Sequence, residues 1–213
     1  MRTISVICAA ALFVVVFALG ACSDSALIVP SASADVSDEG RAARGEFIIT
    51  FEYKRQSGSA SNQFAVWIED ADGRLIKTLY ATLYTVGGGY KSRPDSIPVW
   101  VEKSSLRDKD REDFDAITGA TPRDGTLTYI WDLTDDTGAD VSPGTYTYCI
   151  EATLRWKNRV YFTGTVDIGE IAEVTDASAE YVFEADGGHP ALTGSSAETR
   201  MIRSVTAVYR PGD

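Results

Sequence analysis

The seven residues Asp115-Ala116-Ile117-Thr118-Gly119-Ala120-Thr121 are the one stretch of the chain whose types and spacing point to chemistry rather than architecture. A carboxylate and two hydroxyls stand close together, and the last hydroxyl follows two residues with almost no side chain. A threonine in that setting can accept a transferred group. Gly119 and Ala120 put no bulk beside Thr121, and an exposed, irregular segment lets a transferase hold the oxygen in line with a leaving group. Other chemistries lack parts. Nucleophilic hydrolysis needs a histidine set by a third group, and the single histidine, His189, sits in a Gly-Gly-His-Pro loop. One histidine and one cysteine within the expected domain cannot supply the three or four ligands of a zinc site. No catalytic residue and no metal ligand is therefore assigned.

The loop closely resembles the Asp-x-x-(Ser/Thr)-Gly-Ala-Thr signature of extracytoplasmic proteins that carry FMN on their last threonine as a phosphoester. At average residue usage, five specified positions arise by accident in fewer than about one chain in a thousand of this length. The resemblance implies that Thr121 bears the FMN and that Asp115, Thr118, Gly119 and Ala120 complete the cofactor-binding motif. It also implies two partners, a flavin transferase that makes the bond and a membrane redox protein that exchanges electrons. Such domains usually continue with another small hydroxyl residue; here Pro122-Arg123-Asp124-Gly125 forms a tight turn that stiffens Thr121. Arg123 is placed to neutralise the charge of the phosphoester. Trp131, Tyr129, Trp100 and Tyr90 are the aromatic candidates for a ring platform, with core packing the plainer role for each.

The elements before this loop decide where it works. Arg2, an apolar run from Ile4 to Ala18, and Leu19-Gly20-Ala21-Cys22 have the form of a signal peptide ending in a lipobox. Residues 1–21 are expected to be removed, leaving Cys22 as the lipidated first residue and residues 22–45 as a flexible tether of Ser, Ala, Asp and Gly. Cys8 leaves with the leader and Cys22 is acylated, so Cys149 stands alone, without a disulfide, as a small buried hydrophobe. The formal net charge of -11 repels nucleic acid and anionic headgroups alike. Attachment to the cell membrane or outer membrane is thus expected from the lipid, on the extracytoplasmic side.

The remaining residues, 46–211, read as a single domain. Phe47, Ile49, Phe51 and Tyr53 alternate with polar residues, the period of two of a half-buried strand. Phe64 to Ile68 and Leu75 to Leu83 follow, joined by a hairpin turn at Asp70-Ala71-Asp72-Gly73. Val86 to Tyr90, with three glycines, reads as a flexible connection, and Ser104 as the N-cap of a short charged helix over Ser105 to Phe114. Further strands are expected over Thr126–Leu133, Tyr146–Leu154, Val160–Val166, Tyr181–Ala185 and Arg200–Tyr209. Eight or nine strands with one short helix predict an all-β fold, an antiparallel Ig-like β-sandwich.

Two further resemblances agree with this. Trp131-Asp132, the turn-rich loop to Gly138, and Ser142-Pro143-Gly144-Thr145-Tyr146 resemble one hairpin of the Ig-like domain of flagellar hook-capping proteins. Residues 46 to 211, through Phe64 to Gly73, Asp115 to Thr121, Trp131-Asp132, Gly144 to Tyr146 and Glu151-Ala152, resemble a family of bacterial predicted periplasmic proteins of unknown function. That family's members often occur beside flavin transferases and membrane redox components. The implied function is a lipid-anchored extracytoplasmic carrier of covalent FMN in electron transfer, not an enzyme with a substrate of its own. The alternative is a non-enzymatic Ig-like binding or structural module of the cell envelope.

Overall fold

A computed structural model describes residues 45–58, 60–108 and 116–212. The expected leader, Cys22 and almost all of the tether lie outside the described residues, as does Asp115. Gly45, expected to end the tether, instead opens the first strand.

Among the described residues ten strands form two sheets. β1 (Gly45–Tyr53), β5 (Gly125–Trp131), β8 (Glu173–Asp176) and β10 (Ile202–Pro211) make a four-stranded sheet in the order β5-β1-β10-β8. β2 (Gln63–Glu69), β3 (Leu75–Thr82), β4 (Thr118–Gly119), β6 (Gly144–Arg155), β7 (Asn158–Ile168) and β9 (Ser178–Val182) make a six-stranded sheet in the order β4-β3-β2-β6-β7-β9. The all-β sandwich expected from the alternating pattern is present. Phe47, Ile49 and Phe51 of β1 are fully buried against Phe64, Val66 and Ile68 of β2 and Tyr148, Ile150 and Ala152 of β6. The β2–β3 hairpin turns at Asp70, whose carboxylate accepts the backbone N–H groups of Asp72 and Arg74 and the Arg74 Nε–H.

β8 lies where no strand was expected and β9 starts three residues before the expected Tyr181, and three larger features also differ from the expectation. The first is an added layer: every residue of β2 is buried because its other face is covered as well. Ala65, Trp67, Ala81 and Cys149 pack there against Val86, Tyr90, Ile97, Trp100, Val101 and Leu106. Secondly, a helical turn in this cover is α1, Pro98–Lys103, which Ser104 closes at its C-terminal end; residues 105–108 are turns, and residues 109–114 of the expected charged helix lie outside the described residues. Pro98 favours a helix start just after it, and Glu151 of β6 takes the first-turn N–H groups that no side-chain cap satisfies. The three-glycine connection is likewise wound into a turn, Thr85–Gly89, by the packing of Val86. Thirdly, one pairing is parallel. β4 adds to the edge of β3 with Ala81 opposite Thr118 and Thr82 opposite Gly119.

Candidate functional site

The motif loop is pinned at both ends. Ile117, half-buried, packs against the cover layer, and Thr118 and Gly119 then join the β3 edge. Beneath them Tyr80 donates its hydroxyl to the carbonyls of Gly119, at 3.3 Å, and Ala120, at 3.1 Å. A Cβ on Gly119 would stand 2.8 Å from Cε2 of the Tyr80 ring, closer than such contacts allow. Glycine is thus required at this place in the motif by the ring under it. Beyond Thr121, the Pro122 turn is tied down by Asp124, which accepts from Lys54 Nζ and, at 2.8 Å, from the Arg55 backbone N–H.

Between these fixings Thr121 is half-buried, flanked by exposed Ala120 and half-buried Pro122. Its side-chain hydroxyl makes no hydrogen bond among the described residues. The turn after it therefore holds the threonine without sealing it.

Tyr80 belongs to an aromatic cluster at this end of the sandwich. Its ring stacks on Phe64, centroids 4.8 Å apart, and lies 5.2 Å from Tyr129. Tyr129 stacks in turn on Phe51, and Tyr53 leans on Phe64. Burial pushes the Tyr53 hydroxyl up to about 12, and burial with neighbouring tyrosines raises those of Tyr80 and Tyr129 further. All three stay protonated near neutral pH, so Tyr80 remains a donor to the loop.

The ring candidates divide sharply. Trp131 and Trp100 are fully buried and Tyr90 nearly so, each inside a core cluster, which removes them as platforms. Tyr129 is half-buried in the tyrosine cluster. The exposed ring at this edge is Tyr84, 42% accessible, which the sequence reading passed over. β3 and β4 run parallel, and Tyr84 stands two residues past Thr82 as Thr121 stands two past Gly119, so both leave the same end of the pair. The Arg93 guanidinium lies 5.7 Å from the Tyr84 ring centroid, and its Nη2 is buried without a hydrogen-bond partner. Arg123 is exposed.

This end of the sandwich falls within the part of the chain that has relatives. A model of predicted periplasmic proteins, DUF2271, matches residues 46–183. The chain belongs to this family. No curated protein and no solved structure matches it. The DUF2271 match runs from β1 through β9 and so contains the whole motif loop, Tyr80, Tyr84 and Arg93. As a DUF2271 member the protein is a predicted periplasmic one of unknown function, and no helix among its described residues is long and apolar enough to cross a membrane.

Elsewhere in this DUF2271 chain, His189 and Cys149 are engaged structurally. His189 stacks on Trp156 with ring centroids 4.1 Å apart. Cys149 is fully buried, accepts the Tyr161 hydroxyl on Sγ at 3.1 Å, and has its thiol pushed up to about 12, chiefly by burial. Sequence reasoning missed Tyr80, Tyr84 and Arg93 because a parallel strand added to an edge gives no periodic signal two residues long. Tyr80 lay unremarked within the expected strand Leu75 to Leu83.

Proposed function

We propose that this protein is a lipid-anchored extracytoplasmic carrier of covalent FMN, esterified to Thr121, that passes electrons to and from a membrane redox protein. The observation that carries this reading is the state of Thr121: a half-buried residue whose hydroxyl has no hydrogen-bond partner among the described residues, held two positions after a glycine that the Tyr80 ring makes obligatory. A loop of merely structural purpose has no need of that combination.

The surroundings fit the group. Arg93 carries a buried Nη2 with no acceptor, which suits an anionic phosphate, and Tyr84 beside it offers an exposed ring face on which a flat heterocycle can stack. Thr121 Oγ1 attacks the flavin-side phosphorus of a flavin dinucleotide held by the transferase. The P–O bond to the nucleotide breaks, AMP leaves, and the hydroxyl proton passes to the transferase. Bound FMN supplies reversible electron uptake and release. The chain's own part is to hold the threonine at a fixed edge through Tyr80 and Asp124, to balance the phosphate charge through Arg93 and Arg123, and to present the ring outward. Lipidation of Cys22 keeps the carrier within reach of its membrane partner.

Co-expression with a flavin transferase tests the reading. The protein should then show flavin fluorescence that stays with its band in a denaturing gel, and no fluorescence with any transferase contradicts it.

A further inference from the structure

The outer face of the four-stranded sheet carries a pattern that neither the core nor the motif loop uses. Ile130 of β5 lies opposite Ile48 of β1, Ile48 opposite Val208 of β10, and Val208 opposite Val174 of β8. One row of branched apolar side chains thus crosses all four strands on the solvent side. Ile130 is 42% and Val174 74% accessible, and none of the four packs into either core cluster. The next row along the strands is Thr128, Thr50, Thr206 and Asp176. Beyond these rows, Glu46 pairs with Arg210 at 3.0 Å at one end, and Glu52 stands opposite Arg203 at the other.

We infer that this face docks a second copy of the chain, face to face, about a two-fold axis parallel to the strands. Charge selects both the occupant and the axis. Over a chain of net charge -11 most surfaces of two copies repel, whereas the two central rows hold a single charged residue, Asp176. With the axis between β1 and β10, Glu46 faces the partner's Arg210, Glu52 faces the partner's Arg203, and Asp176 faces the partner's Thr128. The apolar row meets itself, with Ile48 on the partner's Val208 and Ile130 on the partner's Val174. An axis across the strands instead sets Glu46 against the partner's Glu52 and Arg210 against the partner's Arg203. At ordinary strand and residue spacings the four rows cover roughly 500 Å² per copy, below the ~800 Å² of a standard interface, so the dimer is weak and concentration-dependent.

Cross-linking of the full chain in the envelope of its bacterial host tests this. In the double variant Ile130→Cys/Val174→Cys the two thiols lie three strands apart within one copy but face each other between copies. A short bis-maleimide should give a covalent band at twice the monomer mass, and each single variant a band roughly tenfold weaker. Adding Arg210→Glu should remove most of the band and adding Glu46→Arg with it should restore it, because the swap re-creates every pairing. Resistance of each variant to protease checks that it folds. No band at twice the mass, a band indifferent to the charge changes, or a band at the mass of a different protein overturns the proposal.

Discussion

The Tyr80 side chain and Gly119 fix each other: the phenol donates to the Gly119 carbonyl at 3.3 Å while its ring occupies the space a Cβ on that residue would need. The relation makes a specific substitution informative. Gly119→Ala must push the loop off the β3 edge or displace a ring stacked on Phe64, so flavin attachment should fall at least tenfold while the sandwich stays folded. Flavin absorbance per protein with circular dichroism on the same sample measures both.

Tyr80→Phe removes the donor and keeps the ring. The loss of its bonds to Gly119 and Ala120 should cost about 1 kcal/mol, or roughly 2–4 °C in Tm for a domain of this size. Calorimetry reads the shift, and hydrogen exchange should rise at residues 118–121 more than in β2 or β6.

How much of this was legible in the sequence follows from the range of each interaction. The inward faces of β1, β2 and β6 were readable because alternation is local, and the Asp70 turn because its side chain bonds its own neighbours. The cover layer was not. Its charged stretch after Ser104 reads as a solvated helix, of which residues 109–114 lie outside the described residues, whereas a helical turn starts seven residues earlier, at Pro98, because a carboxylate 52 residues away in sequence receives the Val99 N–H. The motif residues Thr118, Gly119, Ala120 and Thr121 stood out by type, but their attachment to β3 and the roles of Tyr80, Tyr84 and Arg93 depend on non-local pairing. Trp100 and Trp131 took the plainer core-packing role expected of them, buried by partners far along the chain.

Glu151 gives the fold a pH dependence. Burial pushes its carboxyl up to about 7, against the lowering effect of the Trp100 and Val99 N–H groups it accepts. The folded state therefore binds this proton more tightly than the unfolded chain, whose glutamate titrates near its ordinary 4.5. Between these two values stability falls as pH rises, by on the order of 3 kcal/mol in total. Urea unfolding from pH 4.5 to 8 should show that slope, and Glu151→Gln should flatten it.

Cys149 should be silent in the native protein. With no accessible surface and a raised thiol, it should react with a thiol reagent at least a hundredfold more slowly when folded than in guanidinium chloride. Rapid native labelling measured by absorbance contradicts its placement under the cover layer.

The account rests most directly on Thr121, and intact mass spectrometry of the chain made with and without a flavin transferase measures it. The wild type should gain the mass of one FMN less one water only with the transferase, Thr121→Ala should gain none, and Thr121→Ser should keep the adduct. A chain that never gains the group, or a Thr121→Ala chain that gains it in full, contradicts the account.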